Sequence, residues 1–142
     1  MARHRVVLVR EWDQQMGSSG CCGRLHGDVV GALGGADPGL YAHCRADMER
    51  MGAVYRALRE RFSADDVDLT VVDPRNTAWL LPAVWRDARR RGLSRRAALT
   101  QVNAATQACA VLCDGLALGC AAEPKVAVAA VEADIAGRDR SG

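Results

Sequence analysis

One long amphipathic segment, placed between two short apolar runs, limits the folds that this chain can adopt. The first run, from Val6 to Val9, is rich in β-branched residues and bounded by charge, which is typical of a buried strand. The second run, from Val67 to Val72, ends at Asp73-Pro74. Between the two runs, Asp37-Pro38 predicts a helix start, with aspartate as the N-cap and proline at the first helical position.

The segment after Pro38 repeats its apolar residues at spacings of three and four, which predicts a helix of about six turns packed on a sheet. These residues are Leu40, Tyr41, Cys44, Met48, Met51, Tyr55, Leu58 and Phe62. A strand, a helix and a second strand make a βαβ unit. We expect its two strands to be parallel and its crossover to be right-handed.

Two further helices are expected after the second strand. The stretch from Thr77 to Arg91 is helical in pattern and ends at Gly92. We expect Pro82 in the first turn of that helix, because a proline in the interior would break it. Ser94 can cap another short helix.

The last part of the chain predicts a β-hairpin and a closing helix. Residues 109–113 and 116–118 are expected to pair across Asp114-Gly115, which is a strong signal for a two-residue turn. Pro124 opens the last helix, and Gly137 is expected to end it. The whole pattern predicts an α/β fold, in which the hairpin adds antiparallel strands to a parallel pair and helices cover both faces of the mixed sheet.

Length and composition favour one globular domain. The chain has 142 residues, of which 49% are apolar and 25% charged. We expect the domain to cover residues 1–137 and residues 138–142 to form a flexible tail. No apolar run approaches the length of about 18 residues that a membrane span needs, and Val6 to Val9 is too short for a secretory signal. We therefore expect a cytoplasmic protein that has no membrane partner.

The charge pattern gives no strong indication of nucleic-acid binding. The net charge is only +2, and 18 of the 19 basic residues are arginines. Six arginines lie close together: Arg86, Arg89, Arg90, Arg91, Arg95 and Arg96. We interpret them as a solvated helix end, where positive charge complements the helix dipole. The alternative is a docking patch for an acidic partner or a nucleic acid.

The chemically distinctive feature of the sequence is a pair of adjacent thiols, Cys21 and Cys22, in a glycine- and serine-rich segment. A reactive cysteine needs surroundings that lower its pKa from about 8.5. Backbone amides in such a segment, and nearby basic side chains, can supply them. The residues expected to tune the thiolate are Ser19, Gly20, Gly23, Arg24 and His26.

The order of elements, with this cysteine segment directly after the first strand, resembles the thioredoxin-like fold over nearly the whole chain. The resemblance implies thiol redox chemistry or electron transfer, with Cys21 and Cys22 as the reacting pair. If the helix begins just after the pair, Cys21 would be the more exposed thiol and therefore the nucleophile, and Cys22 would be the resolving thiol. It also implies a protein redox partner. The chain departs from the family pattern at two points. Its cysteines are adjacent instead of Cys-x-x-Cys, and Thr106-Gln107-Ala108 stands where the family has a cis-proline before the third strand.

Several other interpretations of the thiols stay open. Cys21 and Cys22 could form a strained redox switch, bind a soft metal ion, or sit side by side in a tight turn. The spacing of Cys109 and Cys113 is similar to that of ferredoxins with a thioredoxin-like fold, which implies a [2Fe–2S] cluster as an alternative. We expect no resident cofactor. The alternative to a redox protein is a non-catalytic subunit or a metal-binding module that docks on a larger enzyme.

Overall fold

The chain alternates strands and helices in a computed structural model that describes residues 3–10, 42–120 and 123–140. Its elements are β1 (His4–Val9), α1 (Ala42–Arg61), β2 (Val67–Val72), α2 (Thr77–Arg90), α3 (Arg95–Ala104), β3 (Ala110–Cys113), β4 (Leu116–Cys120) and α4 (Pro124–Asp139). The helix start predicted at Asp37-Pro38 lies outside the described residues. None of the described helices is both long enough and apolar enough to cross a membrane.

The four described strands form one mixed sheet in the order β2-β1-β3-β4. β1 pairs in parallel with β2, and Val6 lies opposite Leu69. On its other side β1 pairs antiparallel with β3, where Val6 lies opposite Cys113. The hairpin then adds β4, antiparallel to β3. The predicted α/β fold, with a parallel pair extended by an antiparallel hairpin, is confirmed.

β1 is continuously apolar from Val6 to Val9 because this part of the strand is buried on both of its faces. Val6 and Leu8 point to one face of the sheet, and Val7 and Val9 point to the other. All four side chains are at most 4% exposed. Full burial of such a side chain contributes about 1.5–3 kcal/mol to the stability of the fold. Because its side chains enter both core clusters, this one strand stabilises the packing on both faces of the sheet.

Helices cover both faces of the sheet, as predicted. The first face packs against α1 and α4 through buried residues that include Met51, Leu58 and Val131. The second face packs against α2, whose Leu80 and Val84 are buried there, and against the end of α3. The apolar stripe of α1 therefore faces the sheet over its described part, which agrees with the three-and-four spacing in the sequence.

The predicted hairpin turn has the backbone that its two residues favour. Asp114 has φ 45° and Gly115 has φ 77°, which is the pattern of a two-residue turn with both central residues in the left-handed region. A Cβ atom added to Gly115 would lie 2.2 Å from the backbone nitrogen of Ala88 in α2. Only glycine fits, because the turn lies directly against the backbone of that helix.

The sequence signals between α2 and α3 are also confirmed. Gly92 has φ 92°, and its N–H donates to the carbonyl of Arg89 while the N–H of Leu93 donates to that of Ala88. This pair of bonds is a Schellman motif that ends α2. Ser94 then caps α3, since its side chain accepts a hydrogen bond from the N–H of Ala97 at 3.2 Å.

Three local predictions were wrong. Pro82 lies inside α2 and not in its first turn. The helix tolerates it because Pro82 and Ala78, whose carbonyl loses its donor, are both on the exposed side. Gly137 does not end α4, which continues to Asp139 because glycine costs an exposed helix only about 1 kcal/mol. Cys109 lies outside β3, since its φ of 64° is incompatible with a strand.

Candidate functional site

The adjacent thiols and the residues expected to tune them lie outside the described residues. These are Cys21, Cys22, Arg24 and His26, with Ser19, Gly20 and Gly23. The structure does describe the strand that precedes them, β1, and most of the helix that follows, α1. In chain order the cysteine segment follows the carboxyl end of β1.

Cys109 lies at the carboxyl end of β1. Its N–H donates to the carbonyl of Val9, the last residue of that strand, at 2.9 Å. The side chain is 3% exposed and packs with the core layer beneath α1 and α4. Its φ of 64° is uncommon for any residue other than glycine, and such strained backbones are frequent at functional sites.

A second described thiol lies at the same end of the sheet. Cys120 ends β4 opposite Ala110, and its Sγ donates to the carbonyl of Ala108 at 3.5 Å. Its side chain is exposed, in contrast to Cys109. The strand reaches this position through an irregularity in the β3–β4 pairing, next to Gly119 with φ 121°. Cys109 and Cys120 therefore both lie at the edge of the sheet formed by the carboxyl end of β1 and the amino end of β3.

Cys113 lies at the opposite end of the hairpin and is chemically inert by its surroundings. Burial raises the pKa of this thiol far above its ordinary value, and the nearby carboxylates of Asp114 and Asp134 raise it further. The positive charge of Arg91 lowers it, but by less. At neutral pH Cys113 is a protonated core residue, and it shares no site with Cys109, since the two lie at opposite ends of β3.

An ion pair between α4 and the end of α2 lies beside Cys113. Arg91 Nη1 donates to Asp134 Oδ2 at 2.7 Å, and a second bond joins Nη2 to Oδ1. The two side chains are 15% and 9% exposed. Burial alone would raise the pKa of Asp134, but the hydrogen bond and charge of Arg91 outweigh it, so the pKa of this carboxyl is lowered.

A second polar cluster is built around Asp114 in the hairpin turn. Its Oδ1 accepts the backbone N–H of Arg5 at 2.8 Å, and its Oδ2 lies 2.8 Å from His4 Nδ1. Arg138 of α4 also donates to Oδ2. One carboxylate thus joins the start of β1, the hairpin and the end of α4.

These polar groups surround an open cavity of about 540 Å³ at the amino ends of β1 and β2. The last turns of α1, α2 and α4 also contribute to its wall, because helices that follow parallel strands return to this edge. Its ionisable lining residues are Arg3, His4, Arg5, Arg59, Asp68, Asp87, Arg90, Arg91, Asp114 and Arg138. The cavity lies at the end of β1 opposite to Cys109.

The arginine-rich segment divides between the cavity and other surfaces. Only Arg90 and Arg91 of its six arginines line the cavity. Arg86 lies 3.5 Å from Asp87, and Arg95 and Arg96 are exposed at the start of α3. The prediction of a solvated helix end, where positive charge complements the dipole, therefore describes Arg89 and Arg90, which are exposed in the last turn of α2. It does not describe Arg91, which is part of a buried ion pair, or Arg95 and Arg96, which lie at the amino end of α3.

The described residues contain no group of three or more potential metal ligands. No local motif in the sequence joins the cavity residues, of which the sequence marks only Asp114, as part of a turn, and Arg90 and Arg91, as part of the arginine-rich segment. No known protein family, curated protein or solved structure matches this chain.

Proposed function

We propose that this protein carries out thiol redox chemistry in the cytoplasm as a thioredoxin-like protein, with Cys21 and Cys22 as the reacting pair. The order of elements supports the proposal: the cysteine segment stands between β1 and α1, and a parallel pair of strands is followed by a hairpin and a helix. In the cytoplasm, cysteines at rest are kept reduced, so the pair would be available as dithiol.

The observation that carries the proposal is the position of further thiols at the carboxyl end of β1. Cys109 is hydrogen-bonded to Val9 there in a strained backbone conformation, and Cys120 lies exposed at the same edge. The segment with Cys21 and Cys22 follows Val9 in the sequence. Together with the adjacent pair, Cys109 and Cys120 would make this edge unusually rich in sulfur for a packing role alone.

The proposed reaction is exchange with a disulfide of a partner protein. One thiolate of the pair attacks a partner sulfur, forms a mixed disulfide and releases a partner thiolate. The second thiolate then attacks the mixed disulfide, which closes the Cys21–Cys22 disulfide and releases the second partner thiolate. The pair loses two electrons, the partner gains them, and the two released thiolates take up protons. A disulfide between adjacent residues is strained, so it would be readily reduced again.

Quantitative alkylation before and after mild oxidation tests the proposal. In native protein at neutral pH, Cys21 and Cys22 should be alkylated first, and both should disappear from the count of reactive thiols after oxidation. The double variant Cys21→Ser, Cys22→Ser should lose this oxidisable pair. The matched control Cys120→Ser removes an exposed thiol and should retain it. If Cys21 and Cys22 stay unreactive in native protein, the redox proposal is wrong.

A second candidate is a non-catalytic subunit that docks on a larger enzyme. It is favoured by β4, which within the described part of the chain forms an outer strand of the sheet and pairs only with β3. An outer strand offers unpaired backbone groups to a partner. In this case Cys21 and Cys22 would be structural or would bind a soft metal ion. Unreactive thiols together with bound metal, in protein purified without chelators, would support this alternative.

A further inference from the structure

We propose that the cavity at the amino ends of β1 and β2 binds a small molecule that carries phosphate groups, a role separate from the thiol chemistry. The cavity has a volume of about 540 Å³, which is in the range of about 300–1,000 Å³ typical of small-molecule sites. Its lining combines six arginines with three carboxylates.

Three of the arginines have a carboxylate partner. Arg5 Nε lies 3.4 Å from Asp68 Oδ2, and Arg5 Nη1 lies 3.2 Å from Asp87 Oδ2. The positive charge of Arg5 is therefore neutralised by these carboxylates. The charge of Arg138 is matched by Asp114, in a bond described above. That of Arg91 is matched by Asp134, which lies outside the cavity lining. These pairs form the rigid part of the cavity wall.

The other three arginines are Arg3, Arg59 and Arg90, and none of them forms an ion pair with a carboxylate of the described residues. Arg59 instead donates to the hydroxyl of Tyr55 at 3.3 Å and lies over its ring. The three come from the start of β1, the last turn of α1 and the last turn of α2. They meet only because the fold brings those elements to one edge.

Uncompensated guanidinium groups around a concave site favour a multiply charged anion. Guanidinium groups bind phosphate oxygens through paired, charge-assisted hydrogen bonds. A long acidic peptide or a nucleic acid would instead need a basic surface that extends beyond the cavity. Arg3, Arg59 and Arg90 all line the cavity, so a molecule that fits the cavity can contact the three guanidinium groups together.

Isothermal titration calorimetry tests the proposal. The whole chain is titrated with inorganic pyrophosphate at low ionic strength. We expect saturable binding that weakens as salt is added. Arg59→Gln and Arg90→Gln should each weaken binding about fivefold, the upper range for an exposed ion pair. The control variant Arg95→Gln, Arg96→Gln removes two exposed charges outside the cavity and should change affinity less than either cavity variant. Thermal unfolding of each variant checks that the fold is intact.

Three outcomes would overturn the proposal. Absence of saturable pyrophosphate binding would mean that Arg59 and Arg90 only complement the helix dipoles at the ends of α1 and α2. An equal loss of affinity in the Arg95→Gln, Arg96→Gln control would indicate a general effect of net charge. Binding of a polyglutamate peptide or of single-stranded DNA without binding of pyrophosphate would assign the surface to a macromolecule.

Discussion

Gly115 is the residue whose replacement should damage this fold most for the smallest change in volume. Its φ is 77°, in the region that residues with a Cβ avoid. An added Cβ would lie 2.2 Å from the nitrogen of Ala88 and 2.7 Å from the carbonyl carbon of Asp87. Both are backbone atoms of α2, so no side chain can rotate away. Gly115→Ala must therefore separate the hairpin from the helix.

The cost of Gly115→Ala can be worked from two contributions. The left-handed backbone costs a residue with a Cβ about 1–2 kcal/mol. Forcing a methyl group into a closely packed contact costs about 1–3 kcal/mol more. The expected loss is thus about 2–5 kcal/mol, out of the total of about 5–15 kcal/mol typical of a domain. Urea unfolding followed by circular dichroism measures it as a shift of the midpoint.

Other glycines of the chain separate the two contributions. Gly92 and Gly119 also have positive φ, but an added Cβ meets no atom within 4 Å. Gly92→Ala and Gly119→Ala should each cost about 1–2 kcal/mol, from backbone strain alone. Gly137→Ala, in α4, should stabilise by about 0.5–1 kcal/mol. If Gly115→Ala loses no more stability than Gly92→Ala, the close contact with α2 is not what requires glycine in the turn.

Three further predictions concern the polar network. Asp134→Asn should cost about 3 kcal/mol because it leaves the largely buried guanidinium group of Arg91 without a carboxylate partner. The pKa of Asp134 is lowered in the folded state, so the ionised carboxylate stabilises the fold fully above the unfolded carboxyl pKa of about 3.9. This stabilisation is lost as the pH falls through the folded pKa. Acid unfolding curves of the wild type and of Asp134→Asn should therefore converge at low pH. Cys113 should resist alkylation at neutral pH while Cys120 reacts, as mass spectrometry of tryptic peptides will show; fast labelling of Cys113 would contradict its raised pKa. Asp114→Ala should lower the free energy of unfolding by about 2–3 kcal/mol. Asp114→Asn should lower it by less, because asparagine tolerates the positive φ. Equal losses for the two variants in thermal melts would mean that the carboxylate charge, and not the backbone conformation, determines the stability of the turn.

The fold could be predicted where local signals and burial agree. The run Val6 to Val9 has no polar residue because β1 is covered on both faces, and this same property marked it as a buried strand. Asp114-Gly115 encodes its turn through two residues that accept positive φ. The prediction that Pro82 lies in the first turn of α2 was wrong. The rule against interior prolines assumes that the carbonyl without a donor is buried, whereas Ala78 lies on the exposed side of α2.

The polar network could not be predicted, because its members are distant in the chain. Arg91 and Asp134 are 43 residues apart, and His4 and Asp114 are 110 apart. No periodicity or motif links such pairs, since an ion pair needs only that two elements end at the same edge. The polar network is described by the structure but has no sequence motif. Cys21 and Cys22, in contrast, form a clear sequence motif but lie outside the described residues.

The thioredoxin-like proposal requires Cys21 and Cys22 at the carboxyl end of β1, opposite to the end that forms the cavity, and such a separation would make the two sites independent. A strand rises about 3.3 Å per residue, so the six residues of β1 separate its ends by roughly 17 Å. That distance is about twice the Debye length of about 8 Å at physiological ionic strength, so exposed charges in the cavity are largely screened at the far end. Arg59→Gln and Arg90→Gln, which should weaken pyrophosphate binding, should therefore leave the alkylation rates of Cys21, Cys22 and Cys120 unchanged between pH 6 and 9. A slower reaction of Cys21 or Cys22 in these variants, with Cys120 unaffected, would mean that the cavity arginines hold the pair as thiolate. The adjacent thiols would then belong to the amino end of the sheet, and the placement at the carboxyl end of β1, on which the thioredoxin-like proposal depends, would be refuted.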